Sequence, residues 1–140
     1  EGSVVALDTD AEQLEQLRCD LRELHLADRV ETVLTDGDVT LSMIPNSSLN
    51  AVLLFDVLQH INDWRTLLEN CSRVLSEKGL LLINPSWLSH PDQVPPAALQ
   101  ASTEAAGFRQ TASRTGQIMH YKKLREDKVL VFTPFAASGQ

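Results

Sequence analysis

No apolar run in the 140-residue chain approaches the roughly 20 residues that a bilayer span requires. A signal-peptide pattern is missing as well, although the chain begins at Glu1 without an initiator methionine and an upstream segment is therefore expected. Cysteine is scarce. Cys19 and Cys71 fall in separate predicted helices without metal-ligand spacing, and read as reduced thiols of a cytoplasmic protein. Basic charge is also low: 12 Lys and Arg stand against 19 Asp and Glu, for a net charge of -7. With a pI near 4.9, this argues against a surface built for nucleic-acid phosphates. The four histidines, His25, His60, His90 and His120, have no ligand spacing, so no metal centre is expected. Repeats, low-complexity tracts and linkers are absent, which gives one domain over residues 1–140.

What is present is an alternation of short apolar runs and helical patterns. Ser3 to Leu7 is β-branched and apolar, and reads as a buried strand that stops at Asp8. Asp10 is a candidate N-cap for a helix with Leu14, Leu17, Leu21 and Leu24 on one face and acids between them. Val30–Leu34 is a second strand with a polar stop at Thr35-Asp36-Gly37. "LNAVLLF", Leu49–Phe55, is a third, and such continuous runs suit a parallel sheet covered on both faces. A helix follows from about Asp63, with Leu67, Leu68, Cys71, Val74 and Leu75 on one face. It is expected to end at Glu77-Lys78-Gly79, before a strand at Leu80–Ile83.

Pro85 to Pro91 is a loop, Pro95-Pro96 suits a helix start, and Gly107 suits its stop. Phe108 to about Ser113 and Val129–Phe132 read as strands, while Ile118–Leu124 fits strand or helix alike. The order predicts an α/β layered fold with strand C-termini gathered on one ligand-binding edge. There Asp8 is positioned to accept both hydroxyl hydrogens of a ribose, and Asp36 to meet a polar ring edge such as adenine's amino group. Either acid alone is most simply solvated or capping; together they favour a nucleoside pocket.

Three stretches, "VVALDTDAEQLEQLR", "DRVETVLTDGD" and "IPNSSLNAVLLFDVLQHINDWRTLLENCSRVLSEKGLLLI", resemble class I S-adenosylmethionine-dependent methyltransferases. The closest likeness is to the small-molecule branch typified by ubiquinone and menaquinone biosynthesis. The resemblance implies a Rossmann-like sheet, mostly parallel with an antiparallel final strand. It implies a ribose contact at Asp8, adenine contacts at Thr9, Asp36 and Gly37, and Phe55 and Asp56 across the crevice. "DVLQHI", Asp56 to Ile61, matches the run that faces the transferring methyl group, and makes His60 a candidate general base. The alternative for His60 is a histidine that bonds its own loop. Two departures stand out: Asn50 replaces an acid, and the chain contains no G-x-G. The family's first strand and glycine loop would therefore lie upstream of Glu1, leaving a gap in the family order 3-2-1-4-5-7-6.

The expected function is methyl transfer from S-adenosylmethionine to a small-molecule acceptor, without nucleic-acid or membrane partners and with a possible homo-oligomer closing the gap. The alternative is a non-catalytic methyltransferase-like binding or scaffolding module. A nicotinamide dinucleotide domain ranks last, because it accounts for neither Asp36 nor "DVLQHI".

Overall fold

β-Branched and leucine-rich runs become strands here, and each helix begins where an aspartate or proline can start it. The computed structural model describes residues 2–88, 93–120 and 122–135. The elements are β1 (Val4–Asp8), α1 (Ala11–Glu23), β2 (Val30–Leu34), β3 (Leu49–Phe55), α2 (Trp64–Val74), β4 (Leu75–Asn84), α3 (Pro96–Ala105), β5 (Phe108–His120) and β6 (Lys123–Pro134). Short 3₁₀ turns cover Ala27–Arg29 and Leu58–His60. Of the loop expected over Pro85–Pro91, the part from Ser89 onward, with His90, lies outside the described residues, as does Tyr121.

The chain divides into two compact units, Glu1–Asp38 and Val39–Gln140. In the first, β1 and β2 pair in parallel with Asp8 opposite Leu34. Asp10 caps α1 by accepting from the backbone N–H groups of Glu12 and Gln13 at 2.9 and 3.2 Å. Leu14 and Leu21 bury their side chains beneath the helix, whereas Leu24, at the C-cap, is 66% exposed. The expectation that Val4–Leu7 is a buried strand is corrected: Val4 is 57% exposed, and Val5 and Leu7 are exposed as well. The helix of this unit can shield only one face of a two-stranded ladder.

The second unit holds a four-stranded sheet in the order β3-β4-β6-β5. β3 and β4 are parallel, and β6 runs antiparallel to β4 with Leu81, Leu82 and Ile83 opposite Phe132, Val131 and Leu130. The reversed final strand is as expected. In the family's numbering the two sheets are 3-2 and 4-5-7-6, the groupings left when strand one is taken from 3-2-1-4-5-7-6. Within the ambiguous stretch Ile118–Leu124, Ile118–His120 and Lys123–Leu124 are strand ends of a long β5–β6 hairpin, paired as far as His120 and Lys123.

Leu67, Leu68, Cys71, Val74 and Leu75 are all buried, as their spacing predicts. Leu67, Leu68, Cys71 and Leu75 pack with Leu54, Leu81, Ile83, Leu99, Phe108, Leu130 and Phe132 into the core. Strand alternation explains a second correction. Leu81 and Ile83 point into this core, while Leu53 and Leu80 point to the opposite face and are exposed, so the sheet is not covered on both faces. Both cysteines are free, and burial pushes the Cys71 thiol up to about 12, leaving it unreactive at neutral pH.

The helix α2 ends at Val74, earlier than Glu77-Lys78-Gly79 suggests, because β4 begins at once with Leu75 opposite Leu49. The ladder then resumes at Ala51 opposite Leu80, so the intervening residues loop out. Gly79 makes that return: a Cβ there would lie 2.8 Å from Leu75 Cδ2 and 3.0 Å from the Ser76 carbonyl oxygen.

Candidate functional site

The strand ends carry the chemistry. In the first unit Asp8 closes β1 and its carbonyl accepts from Thr35 N–H at 2.9 Å, tying together the segments that leave β1 and β2. Asp8 Oδ1 accepts from Asp10 N–H at 3.0 Å, while the carboxylate stays exposed. Asp36 and Gly37, just past β2, are exposed too. Gly37 adopts φ +91°, a left-handed conformation that favours glycine, and a Cβ there would meet Thr9 Cγ2 at 4.0 Å. Asp8, Thr9, Asp36 and Gly37 thus share one edge of the β1–β2 ladder. Two solvent-facing carboxylates beside an open glycine suit the hydroxyl and amine edges of a nucleoside.

Phe55, Asp56 and His60 belong to the second unit, where β3 ends with Phe55 opposite Asn84 of β4. The His60 ring is exposed at the end of a 3₁₀ turn; its backbone N–H donates to the Val57 carbonyl at 3.0 Å. Trp64 Nε1 donates to the Leu58 carbonyl at 2.8 Å and secures the same turn.

Asp56 is built in more deeply than the sequence suggests. Its backbone is left-handed, with φ 56°, as is that of Ser86 just past β4, with φ 55°. Asp56 Oδ1 accepts from Ser86 Oγ and from Gln59 Nε2, the latter at 3.2 Å. Oδ2 lies 2.5 Å from His120 Nδ1. Burial alone would raise this carboxyl above its ordinary 3.8, but the bonds from Ser86, His120 and Gln59 outweigh it and hold the group lower.

A folded-state value below the unfolded one contributes stability above the unfolded value, and that stability is lost as pH falls through the folded value. Asp56→Asn should therefore destabilise the chain at pH 7, with the deficit narrowing below about pH 4. Urea unfolding at pH 7 and at about pH 3.5 checks this; a deficit that does not narrow with acid would detach it from the Asp56 charge.

Ser86, His120, Asp127 and Asn84 complete this cluster, and sequence reading missed all four as a group. His120 lies 64 residues from Asp56 in the chain and shares no motif with it. In the sequence, Ser86 falls in the stretch that reads only as a loop, and His120 in the stretch that fits strand or helix alike.

The family model described as a methyltransferase domain matches residues 2–83, more than half of the chain, and the chain belongs to that family. No match was found among curated protein sequences. Solved structures similar in fold include the [4+2]-cyclase SpnF, at 19% identity and TM-score 0.67, covering 81% of this chain and 46% of that one. A SAM-dependent methyltransferase from Methanosarcina mazei gives 12% identity and TM-score 0.70, covering 94% of this chain and 82% of that one. An O-methyltransferase from neocarzinostatin biosynthesis, solved with S-adenosyl-L-homocysteine and 1,4-dihydroxy-2-naphthoic acid, gives 15% and 0.69, covering 95% and 42%. The chain therefore spans less than half the length of the cyclase and of the O-methyltransferase. At these identities the likeness is one of fold, and the fold is Rossmann-like.

Proposed function

We propose that residues 1–140 form part of a single class I methyltransferase domain that transfers a methyl group from S-adenosylmethionine to a small-molecule acceptor. What carries the reading is the pair of exposed carboxylates, Asp8 and Asp36, on one edge of β1–β2 inside the stretch that matches the family. Asp8 would hold the ribose hydroxyls. Thr9, Asp36 and Gly37 would border the adenine, and Phe55 and Asp56 would lie on the methyl side. His60, with its exposed ring, is the side chain proposed to take a proton from the acceptor. The cofactor supplies a methyl group on a sulfonium, and alignment of acceptor, methyl and sulfur contributes much of the rate.

The 140 residues contain no G-x-G, the loop by which the family brings backbone close to the methionine end. We place that loop in the part of the protein by which the relatives exceed this chain. Leu53 and Leu80, exposed on the open face of the sheet, support the same view, with a second copy as the alternative cover. The protein is read as cytoplasmic, with neither nucleic acid nor membrane as partner.

Calorimetry with S-adenosylmethionine tests the proposal on the 140-residue chain and on one extended upstream. Micromolar binding is expected for the longer chain, and no saturable heat for the shorter. Absence of binding by both would sink the reading, while micromolar binding by the shorter would show the glycine loop to be dispensable.

A further inference from the structure

We infer that His120 and Asp127, both carried by the β5–β6 hairpin, are a positioning pair that fixes the Asp56 carboxylate at the end of β3: His120 Nδ1 donates to Asp56, and the buried Asp127 carboxylate faces the other ring nitrogen and holds the ring in place. The first observation is topological. β5 lies three places from β3 in the sheet, about 14 Å at ordinary strand spacing, yet its last residue reaches Asp56. The closed end of the hairpin therefore curls across the edge where β3 and β4 end, and the His120–Asp56 bond holds it there.

The second observation is the pattern of donors. Asp56 can only accept in this cluster, so His120 Nδ1, at 2.5 Å, carries a hydrogen. The other ring nitrogen faces Asp127 Oδ2 at 3.6 Å. Asp127 is fully buried, and its Oδ1 is occupied by the N–H of Lys128 at 2.8 Å. Among the described residues neither His120 Nε2 nor Asp127 Oδ2 has a hydrogen-bond partner. Two bare lone pairs facing each other in a site closed to water repel; a proton on either atom turns the contact into an attraction. Asn84, also buried, supports the array: its Nδ2 donates to the Lys128 carbonyl at 2.8 Å, and its Oδ1 lies 3.1 Å from Ser86 Oγ.

The arrangement does more than fill space. Asp56 and Ser86 both hold left-handed backbones that non-glycine residues rarely adopt, and the side-chain bonds between them and to His120 over-determine that geometry. Losing the pair would leave the Asp56 carboxylate held at Oδ1 alone, by Ser86 and Gln59, and remove the bond from the hairpin end to this edge. If the edge is the acceptor side, as proposed above, the pair sets one wall of that site. The clamp itself does not depend on that reading.

The test is long-range proton–nitrogen NMR of histidine-labelled protein, with the Asp56 carboxyl carbon followed in parallel. In the unsubstituted chain, His120 Nδ1 should carry a slowly exchanging proton. Asp127→Asn should keep that proton and shift the Nε2 resonance. His120→Asn, whose amide can still donate to Asp56, should retain the Asp56 carbon shift that His120→Phe loses. A ring that averages between tautomers like a free imidazole, or an Nε2 resonance unmoved by Asp127→Asn, would overturn the inference. Should His120→Phe fail to fold, the Asp127→Asn comparison still decides. None of these readouts requires cofactor or acceptor, so a failure of methyl transfer and a failure of the clamp are seen separately.

Discussion

Arg73→Ala is expected to lower the unfolding free energy by about 3 kcal/mol, one of the largest effects of any polar substitution in this chain. Arg73, near the end of α2, uses all five of its N–H donors. Nε donates to Asn70 Oδ1 at 3.0 Å. Nη1 donates to the Ile44 carbonyl at 2.9 Å and to Asn46 Oδ1 at 2.7 Å. Nη2 donates to the carbonyls of Thr40 and Leu41 at 3.0 and 2.9 Å. The segment it grips is irregular, with left-handed backbones at Leu41 and Ser47, φ 52° and 51°. Two backbone bonds, from Ser47 N–H to the Arg73 carbonyl and from Ser48 N–H to the Val74 carbonyl, both 2.9 Å, complete the attachment.

Five charge-assisted bonds would sum to far more than 3 kcal/mol, but they act as one unit and the site is half-buried, so water replaces part of the loss. Arg73→Lys should recover little of it, because an ammonium cannot present a planar fork to carbonyls on both sides. Thermal unfolding checks the prediction. For a chain of this size a midpoint drop on the order of 10 °C is expected. Faster hydrogen exchange at residues 44–48 should accompany it. A midpoint within about 2 °C of the parent would show that solvent substitutes fully for the guanidinium.

The contrast between Arg73 and His120 shows what was legible in the sequence. Arg73 lies within the third of the stretches that resemble the family, and hydrophobic spacing locates α2, β3 and the Leu80–Ile83 part of β4, because apolar periodicity is local information. The exposure of Val4 and Leu53 was not legible. An apolar run states that a strand prefers to be covered, but not whether the chain at hand supplies the cover. The cluster around Asp56 was invisible for a different reason. Its members come from four separate segments, and only the curl of the hairpin brings His120 and Asp127 to Ser86 and Asp56. No spacing rule encodes such a bend. Asp8, Thr9, Asp36 and Gly37 were legible as neighbours, since two parallel strands with matched register must end side by side.

Asp8→Ala should raise the dissociation constant for S-adenosylmethionine tenfold or more, about 1.4 kcal/mol, in a chain extended upstream of Glu1. A carboxylate that accepts two ribose hydroxyls loses two charge-assisted bonds at once when it is removed. Asp8 also has a local duty, since its Oδ1 accepts from Asp10 N–H at 3.0 Å, and Asp10 in turn caps α1. Alanine therefore disturbs the turn as well as the ligand, and weaker binding alone would not separate the two. Asp8→Asn does separate them. Its Oδ1 can still accept from Asp10, so the turn and the melting temperature should hold. Its other oxygen becomes an uncharged NH₂ group, a donor that faces hydroxyls which the carboxylate would receive as donors. Calorimetry on Asp8→Asn should then give nearly the full loss of affinity at unchanged stability. An unchanged dissociation constant would remove Asp8 from the cofactor site, and leave it only as the residue that starts the turn into α1.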